Sequence, residues 1–262
     1  MEGVELRSAA TLSDDELAAL FTAAYEGYER PMQVTADALR FLTRAYDLDR
    51  GASRVAIRGR DAIGLVNLGL RGTDAWIGGL GVVSTARRQG VGRVLMAAVH
   101  DEARVRGAER VWLECMVENT RALTLYEELG YENVRELEVW SLDGGQGHPE
   151  ECDAEVAHAW IRTHRTAREP WQRADGSLAN QDGTIGLRVE GAAAVIAVVA
   201  GRVAVLQLAG EREPVRELLT GARSLGTALT VLNLPVGHEA AWALRALGGR
   251  VEVRQHEMVL RL

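Results

Sequence analysis

One stretch of this chain decides its fold: residues 78–96 read GGLGVVSTARRQGVGRVLM. An apolar strand leads through a glycine turn into a helix. Gly90 and Gly92 can adopt backbone angles closed to other residues and carry no side chain, so consecutive N–H groups can converge at the positive end of that helix. The stretch therefore predicts an anion-binding loop, and we expect a pyrophosphate as its ligand.

The spacing of this loop separates three kinds of phosphate-binding turn. A nucleoside-triphosphate loop needs Lys-Ser or Lys-Thr after its last glycine, whereas residues 93–94 here are Arg-Val. A dinucleotide fingerprint needs a third glycine, and Leu95 stands in its place. What remains is the pattern R-x-x-G-x-G over residues 87–92, preceded by LGV at residues 80–82. This pattern resembles the acyl-CoA-binding motif of the GNAT superfamily of N-acetyltransferases.

A second motif lies downstream, where residues 111–131 read VWLECMVENTRALTLYEELGY. A short apolar run meets Asn119, a good helix N-cap, and begins a helix that Gly130 can end. The order of strand, Asn, Ala, Tyr, Gly and aromatic residue is similar to the second GNAT signature. Because both motifs occur in the right order, residues 1–145 are identified as a GNAT domain.

The order of predicted elements extends this reading to the whole chain. Residues 13–142 predict two helices, three strands, a helix, a strand, a helix and a strand, and residues 143–150 form a Gly- and Pro-containing linker. The second half repeats the order, which indicates a tandem duplication. We therefore predict the α/β (α+β) class, with two GNAT-like domains at 1–145 and 146–262. Each is expected to be a mixed, mostly antiparallel central sheet flanked by helices.

The second copy is predicted to be degenerate. Aligning Gly130 with Gly248 puts Leu232 opposite Glu114 and Leu244 opposite Tyr126. Its counterpart of the glycine turn, residues 209–214, reads AGEREP, and its two glutamates would repel a pyrophosphate. We expect no CoA binding there and a structural role for this copy. An acceptor-binding role for Trp171 or Arg173 is the alternative.

Two residues are candidates for catalysis. Transfer to an amine requires its neutral form, and Glu114 interrupts an apolar strand where some GNAT enzymes carry a glutamate, so it is the candidate base. Glu118 is the second choice, and an ordinary edge-facing Glu114 on an alternating strand is the competing interpretation. Tyr126 occupies the position of the GNAT tyrosine that acts as general acid toward the CoA sulfur. A core aromatic on a helical stripe is its alternative.

The resemblance also implies a binding site for acetyl-CoA as co-substrate. The backbone of residues 80–83 would pair with the pantetheine amides, and an N–H near Val82 would stabilise the oxyanion. One or more arginines of the turn would pair with CoA phosphates, and Asn119 would contact the pantetheine arm. The full predicted set is Leu80, Gly81, Val82, Val83, Arg87, Arg88, Gln89, Gly90, Val91, Gly92, Arg93, Asn119 and Tyr126.

The acceptor is less well defined by the sequence. In this fold it enters between the first two helices and the strands, so the candidate wall residues are Tyr25, Tyr28, Glu29, Pro31, Met32 and Trp76. Core packing is the alternative for the aromatic ones. A small primary amine is favoured over a protein acceptor because no extended peptide groove can be identified. Cys115 lacks a placed His partner, so an acyl-cysteine intermediate is not expected.

Composition bounds the remaining possibilities. The chain has 262 residues, 47% of them hydrophobic, with a net charge of −7. The acidic balance argues against nucleic acid as a partner, and no apolar run reaches membrane-spanning length. Two cysteines and scattered histidines predict neither a disulfide framework nor a metal site. We expect a cytoplasmic monomer or homodimer that acts as an N-acetyltransferase. A non-catalytic acyl-CoA sensor or scaffold is the alternative.

Overall fold

The computed structural model describes residues 3–27 and 32–262. Contacts divide the chain into two compact units. The first comprises Met1–Glu114, Thr120–Asn133 and Met258–Leu262, and the second comprises Cys115–Asn119 and Val134–Glu257. This division follows contacts, whereas the predicted domains at 1–145 and 146–262 follow the repeat along the chain and stay a prediction.

The first unit is built on five strands that neighbour one another in chain order. They are β1 (Val4–Ser8), β2 (Arg54–Arg58), β3 (Asp61–Arg71), β4 (Asp74–Val82) and β5 (Arg110–Met116, with its last two residues in the second unit). Pairing is antiparallel from β1 to β4, and β4 with β5 is parallel. β4 and β5 diverge where this parallel pairing ends.

Four helices accompany these strands: α1 (Asp14–Ala24), α2 (Ala36–Ala45), α3 (Val91–Val105) and α4 (Thr120–Glu128). A capping box begins α1, since Ser13 accepts from the Glu16 N–H while the Glu16 carboxylate accepts from the Ser13 N–H at 2.7 Å. α1 packs its apolar stripe, including Leu17 and Phe21, into one core cluster with Leu65 of β3. α1 therefore covers the face of the sheet on which Leu65 lies.

The second unit contains the remaining strands in the order β12-β6-β11-β10-β9-β8-β7. The strands are β6 (Glu132–Asp143), β7 (Glu151–Cys152), β8 (Thr184–Val189), β9 (Ala192–Val199), β10 (Arg202–Gly210), β11 (Ala228–Pro235) and β12 (Arg250–Arg261). The helices are α5 (Ala154–His164), α6 (Asp175–Ala179), α7 (Arg212–Ala222) and α8 (Glu239–Ala246). As in the first unit, a parallel pair is present, β10 with β11. Over the ranges 3–27 and 32–262, no helix is both long and apolar enough to cross a membrane.

The predicted class is confirmed, because both units combine helices with mixed, mostly antiparallel strands. The repeat is visible in the element bounds: β12 begins and ends 118 residues after β6, and β11 begins 118 residues after β5. The sequence analysis missed β1. Only five residues long, β1 alternates half-buried and exposed side chains and pairs with β2 along its whole length.

The repeat along the sequence does not predict that β6 pairs with a strand of the second copy. β6 is the last strand of the first copy by sequence, yet it pairs antiparallel with β11 of the second copy. The first unit instead includes the end of the chain, where the Leu262 N–H donates to the Glu109 carbonyl at 2.9 Å. The first copy thus contributes most of its last strand to the second unit, and the second copy contributes the end of its last strand to the first unit.

A buried histidine lies on α3. His100 is 5% exposed, and its Nε2 lies 2.8 Å from the Tyr131 hydroxyl. Burial and, to a smaller extent, the nearby charge of Arg104 lower the pKa of His100 from 6.5 to about 4. The folded protein therefore holds this imidazole neutral where the unfolded chain would protonate it.

We predict that His100 makes folding stability depend on pH between about 6.5 and 4. Unfolding takes up a proton in this window, so the free energy of unfolding falls as the pH drops from 7 to 5, by up to about 2 kcal/mol for this residue. Urea unfolding at both pH values measures the fall, and His100→Gln should reduce it without abolishing it, because burial also lowers the pKa of His238 to about 4. An equal fall in the variant would contradict this assignment.

Candidate functional site

The parallel pair β4–β5 opens partway along its length. Register pairs run from Asp74 with Arg110 to Trp76 with Trp112 and then stop. β4 continues to Val82 and stays paired to β3 on its other side. Within the described part of the first unit, the edge of β4 from 77 to 82 therefore has no ladder partner on the β5 side. An extended ligand could pair with this edge as an added strand.

β4 carries a bulge at the start of this open edge. Val66 pairs with Leu80 and Leu68 with Ile77, so two residues of β4, Gly78 and Gly79, face the single residue Asn67. Gly79 has φ +139°. At Gly81 a Cβ would lie 2.7 Å from the Ala24 Cβ, so α1 can approach the strand only because the side chain is missing.

The glycine turn leads into the N-terminus of α3, which has no side-chain cap among the described residues. Gly90, in the left-handed region with φ 79°, is the N-cap of α3, and no side chain of the described residues caps this helix. Arg88 also has a positive φ, 62°, which is unusual for a side chain with a Cβ. The N–H groups of the first turn thus point toward the region where an anion can accept from them.

Gly92 needs a different explanation from Gly90. Gly92 is already inside α3. Glycine at either position could adopt left-handed backbone angles, but only Gly90 does so. A Cβ on Gly92 would lie 3.6 Å from Leu125 Cδ2 and 3.8 Å from Leu80 Cδ2, which is ordinary van der Waals contact. Neither the backbone nor packing among residues 3–27 and 32–262 therefore demands glycine here, which fits a ligand that approaches the bare backbone.

The polar side chains of the turn have distinct partners. Arg87 donates from Nε to the Val82 carbonyl at 2.9 Å and from Nη2 to the carbonyls of Ala24 and Glu26 at 3.1 and 2.7 Å. It ties the end of β4 to the end of α1. Gln89 donates to the Thr85 carbonyl at 3.0 Å.

The cationic side chains nearest the start of α3 are exposed. Arg93 forms an ion pair with Glu128 of α4, in which both side chains are about half exposed. Arg88 is exposed at the turn itself. An exposed arginine at this position can reach an anion bound at the helix end without first losing a buried contact.

Glu114 lies on the half-buried face of β5. Alternation along the strand buries Val111, Leu113 and Cys115 on one face and leaves Glu114 half-buried on the other. Trp76 of β4, 5% exposed, donates from Nε1 to Glu114 Oε2 at 2.8 Å. Tyr46 packs edge-on against Trp76 with ring centroids 5.7 Å apart, and burial, with the Glu114 charge, raises the pKa of Tyr46. The Trp76 indole therefore holds one oxygen of the Glu114 carboxylate.

Tyr126 is a buried residue of α4. Its ring lies 5.7 Å from the ring of Tyr131, whose hydroxyl contacts His100. Leu125, the preceding residue, is the nearest neighbour of the space beside Gly92. α4 therefore brings the second sequence motif against the first, and Gly130, with φ +90°, ends α4 as predicted.

Three predicted residues fall in the segment Cys115–Asn119 of the second unit. Burial raises the pKa of Cys115 to about 12, so the thiol stays protonated and is a poor nucleophile. Glu118 is exposed, in contrast to the half-buried Glu114. Asn119 directly precedes α4, and its N–H donates to the Met116 carbonyl at 3.0 Å.

The predicted acceptor wall is described only in part. Tyr25 stacks on Phe21 with centroids 4.8 Å apart, and its hydroxyl lies 3.4 Å from the Leu80 carbonyl. Met32 is 43% exposed. Tyr28, Glu29 and Pro31 lie outside the described residues.

The sequence analysis missed Asn67. It is a buried polar residue, 7% exposed, in the middle of the apolar strand β3. The only sequence signal was an amide side chain within the run IGLVNLGL. Among the described residues, no group of three or more His, Cys, Asp or Glu could hold a metal ion.

The second unit uses the equivalent opening differently. Pairing of β10 with β11 stops at Val205 with Val231. Beyond it, Gln207 of β10 donates to the Arg173 carbonyl at 2.6 Å, and Arg173 in turn donates to the Leu232 carbonyl of β11 at 3.4 Å. The short 3-10 turn Trp171–Arg173 thus connects the diverging strands with its own side chains.

The turn before the following helix is also shorter in the second unit. Residues 83–90 separate β4 from α3, whereas Glu211 alone separates β10 from α7. This acidic residue is the N-cap of α7, and Glu213 lies in the first turn. The second unit therefore has no loop comparable with the glycine turn between these two elements.

Known proteins show the same architecture over the whole chain. The GCN5-related N-acetyltransferase from Sphaerobacter thermophilus superposes with a TM-score of 0.74 at 16% identity, covering 100% of this chain and 96% of that one. A tandem GNAT protein from the clavulanic acid biosynthesis pathway gives 0.69 at 13% identity, covering 98% of both chains. At these identities the likeness concerns the fold alone.

Sequence comparison gives a family match for part of the chain. The [ribosomal protein bS18]-alanine N-acetyltransferase of Escherichia coli (strain K12) is 44% identical over 45 residues, which are 17% of this chain and 30% of that protein. The chain thus matches less than a third of the length of this curated relative. A sequence profile described as the acetyltransferase (GNAT) family matches residues 15–131, which include the glycine turn, Glu114 and Tyr126. Residues 15–131 thus match the acetyltransferase (GNAT) family, and the fold over the whole length is similar to that of a tandem GNAT protein.

Proposed function

We propose that this chain is an acetyl-CoA-dependent N-acetyltransferase that transfers an acetyl group to a primary amine by direct attack at one site in its first repeat. The observation that carries the proposal is the open edge of β4, which leads directly to the uncapped start of α3. A half-buried carboxylate, Glu114, lies on the neighbouring strand. Extended backbone, anion-binding N–H groups and a base are the three elements that this reaction needs.

The binding site for acetyl-CoA would follow the first motif. The backbone of residues 80–83 would pair with the pantetheine amides, and the N–H groups at the start of α3 would donate to the pyrophosphate oxygens. Arg88 is the exposed arginine best placed to pair with a phosphate, since Arg87 is engaged with three backbone carbonyls. Bound there, acetyl-CoA supplies an acetyl thioester for transfer.

Glu114 would remove the proton of the acceptor amine. With an amine pKa near 10.4, only about one molecule in 2,500 is neutral at pH 7, which corresponds to roughly 4.6 kcal/mol. A positioned base lowers this barrier by taking the proton during attack. The Trp76 N–H fixes one carboxylate oxygen at 2.8 Å, which supports a defined orientation of the base. Glu118 is the weaker candidate because it is exposed.

Tyr126 would protonate the departing thiolate, and Asn119 would contact the pantetheine arm, as the family resemblance implies. What supports the role of Tyr126 is its place on α4, where the adjacent Leu125 borders the space beside Gly92. The competing role is packing, since its ring also contacts Tyr131. Substitution by Phe separates the two roles because it keeps the ring and removes the proton.

Two acceptor classes are open. The sequence favours a small primary amine, whereas the Escherichia coli relative is named for acetylating an alanine of a ribosomal protein. That relative makes a protein acceptor the second candidate. Both classes present a primary amine to the same base, so the proposed chemistry is the same for either.

The second repeat is proposed to carry no acetyl-CoA site. Its strand opening is occupied by Gln207 and Arg173, and its turn before α7 is a single glutamate. Calorimetric titration of acetyl-CoA into the full chain should therefore give one site. Two sites would contradict this assignment, and absence of binding would contradict the function itself.

We predict that Gly92→Ala weakens acetyl-CoA binding at least tenfold without lowering stability. The added methyl group meets only ordinary contacts in the protein but occupies the space of an approaching ligand. Ala is also the better helix former, by up to about 1 kcal/mol. Gly90→Ala is the matched control: its φ of 79° should make the variant less stable by about 1–2 kcal/mol. Calorimetry and urea unfolding of both variants measure these effects, and equal acetyl-CoA affinity in Gly92→Ala would argue against a ligand beside this residue.

We predict that Glu114→Gln and Tyr126→Phe each lower kcat by tenfold or more while acetyl-CoA affinity stays within about twofold. Both substitutions preserve shape and remove the proton-transfer group. A thiol-release assay with a panel of primary amines measures turnover, and Glu118→Gln is the control that should stay active. Binding without turnover in the wild-type chain would favour the sensor or scaffold alternative.

A further inference from the structure

Asn67 is a buried amide that the proposed mechanism does not use. It lies in β3 between Val66 and Leu68, both fully buried. Its Nδ2 is buried and has no hydrogen-bond partner in the described part of the chain. Buried polar groups are normally paired, because desolvation without a partner costs free energy. This amide therefore requires an explanation.

The face of the sheet on which Asn67 lies follows from β3 alternation. Leu65, two residues earlier, packs into the core cluster of α1. Since side chains two apart share a face, Asn67 points to the same side. Opposite it lies the bulge of β4, where a Cβ on Gly79 would meet Phe21 and the Tyr25 hydroxyl, both at 3.3 Å. Asn67 thus lies under α1, across from two residues without side chains.

Glu114 lies on this same face. Trp76 of β4 pairs with Gly69 of β3 and with Trp112 of β5. Residues directly paired in a ladder share a face, and Gly69 is two residues after Asn67 while Glu114 is two residues after Trp112. The hydrogen bond from Trp76 to Glu114 agrees with this placement. The buried donor and the candidate base therefore flank β4 on one side of the sheet.

We propose that Asn67 Nδ2 donates a hydrogen bond to a carbonyl oxygen of bound substrate. This inference rests on the proposed function, since the carbonyl belongs either to the acetyl group of acetyl-CoA or to the acceptor, where it is attached to the carbon that bears the amine. An amide N–H donor without a protein partner is complementary to such an oxygen. Where the carbonyl belongs to the acceptor, the Asn67 amide discriminates against acceptors that lack it, because the buried donor then stays unpaired.

The stability test uses Asn67→Leu, which keeps the branched shape and the number of side-chain heavy atoms and removes the donor. Replacing an unpaired buried polar group by an apolar one is neutral or stabilising, so the melting temperature should equal or exceed that of the wild type. Gln207→Met is the matched control. It removes a buried amide whose Nε2 donates to the Arg173 carbonyl and to Asp175, so its melting temperature should fall.

The binding test distinguishes the two sources of the carbonyl. In one arm, acetyl-CoA and CoA are titrated into wild type and Asn67→Leu, and a threefold to tenfold loss confined to acetyl-CoA assigns the acetyl oxygen. In the other, alaninamide and isopropylamine are titrated into CoA-saturated protein. A loss of the same size confined to alaninamide assigns the acceptor oxygen.

Two results separate failure of this inference from failure of the proposed function. A wild-type chain that does not bind acetyl-CoA refutes the function. Wild-type binding of acetyl-CoA, together with a lower melting temperature and unchanged affinities in Asn67→Leu, overturns the inference alone. In that case Asn67 is a structural residue.

Discussion

The rest of the structure depends on the parallel contact between β4 and β5, which ends at Trp76 with Trp112. Up to this point the two strands share one ladder, and beyond it β4 has β3 as its only ladder partner in the described part of the first unit. The divergence leaves main-chain hydrogen-bonding groups exposed along one edge, and such groups need partners. A ligand with an extended amide backbone satisfies that need. The glycine bulge, the uncapped α3 and Glu114 are all arranged around this one opening.

The two repeats resolve the same geometric problem in different ways. In the second unit the parallel contact ends at Val205 with Val231, and the protein's own Gln207 and Arg173 reach across the gap. Arg173 is itself buried and paired with Glu169 at 2.8 Å. A buried ion pair and an amide thus bridge the gap in the second unit. Duplication therefore produced one opening with an available edge and one closed by its own side chains.

Much of the fold could be predicted because its signals are local. The Ser13 capping box, the left-handed Gly90 and the Gly130 helix stop each depend on a few consecutive residues. The partner of β6 could not be predicted, since strand pairing between distant segments leaves no trace in local periodicity. For the candidate site, Glu114 was recognisable as a charge within an apolar strand, but the roles predicted for the site residues are still untested. Asn67 was missed because a single buried amide resembles an ordinary tolerated substitution until its lack of a partner is visible.

Because of the placement of β6, the repeat defined along the sequence and the compact unit defined by contacts do not contain the same residues. A cut in the linker at residues 144–149 would separate the two repeats by sequence, yet residues 134–143 fold with the second unit and Met258–Leu262 with the first. Each half would then carry a terminal strand without its usual neighbour, and unpaired strand edges promote aggregation. Recombination that shuffles single repeats would meet the same obstacle. A single repeat cut out at the linker is therefore a poor unit for folding without the other.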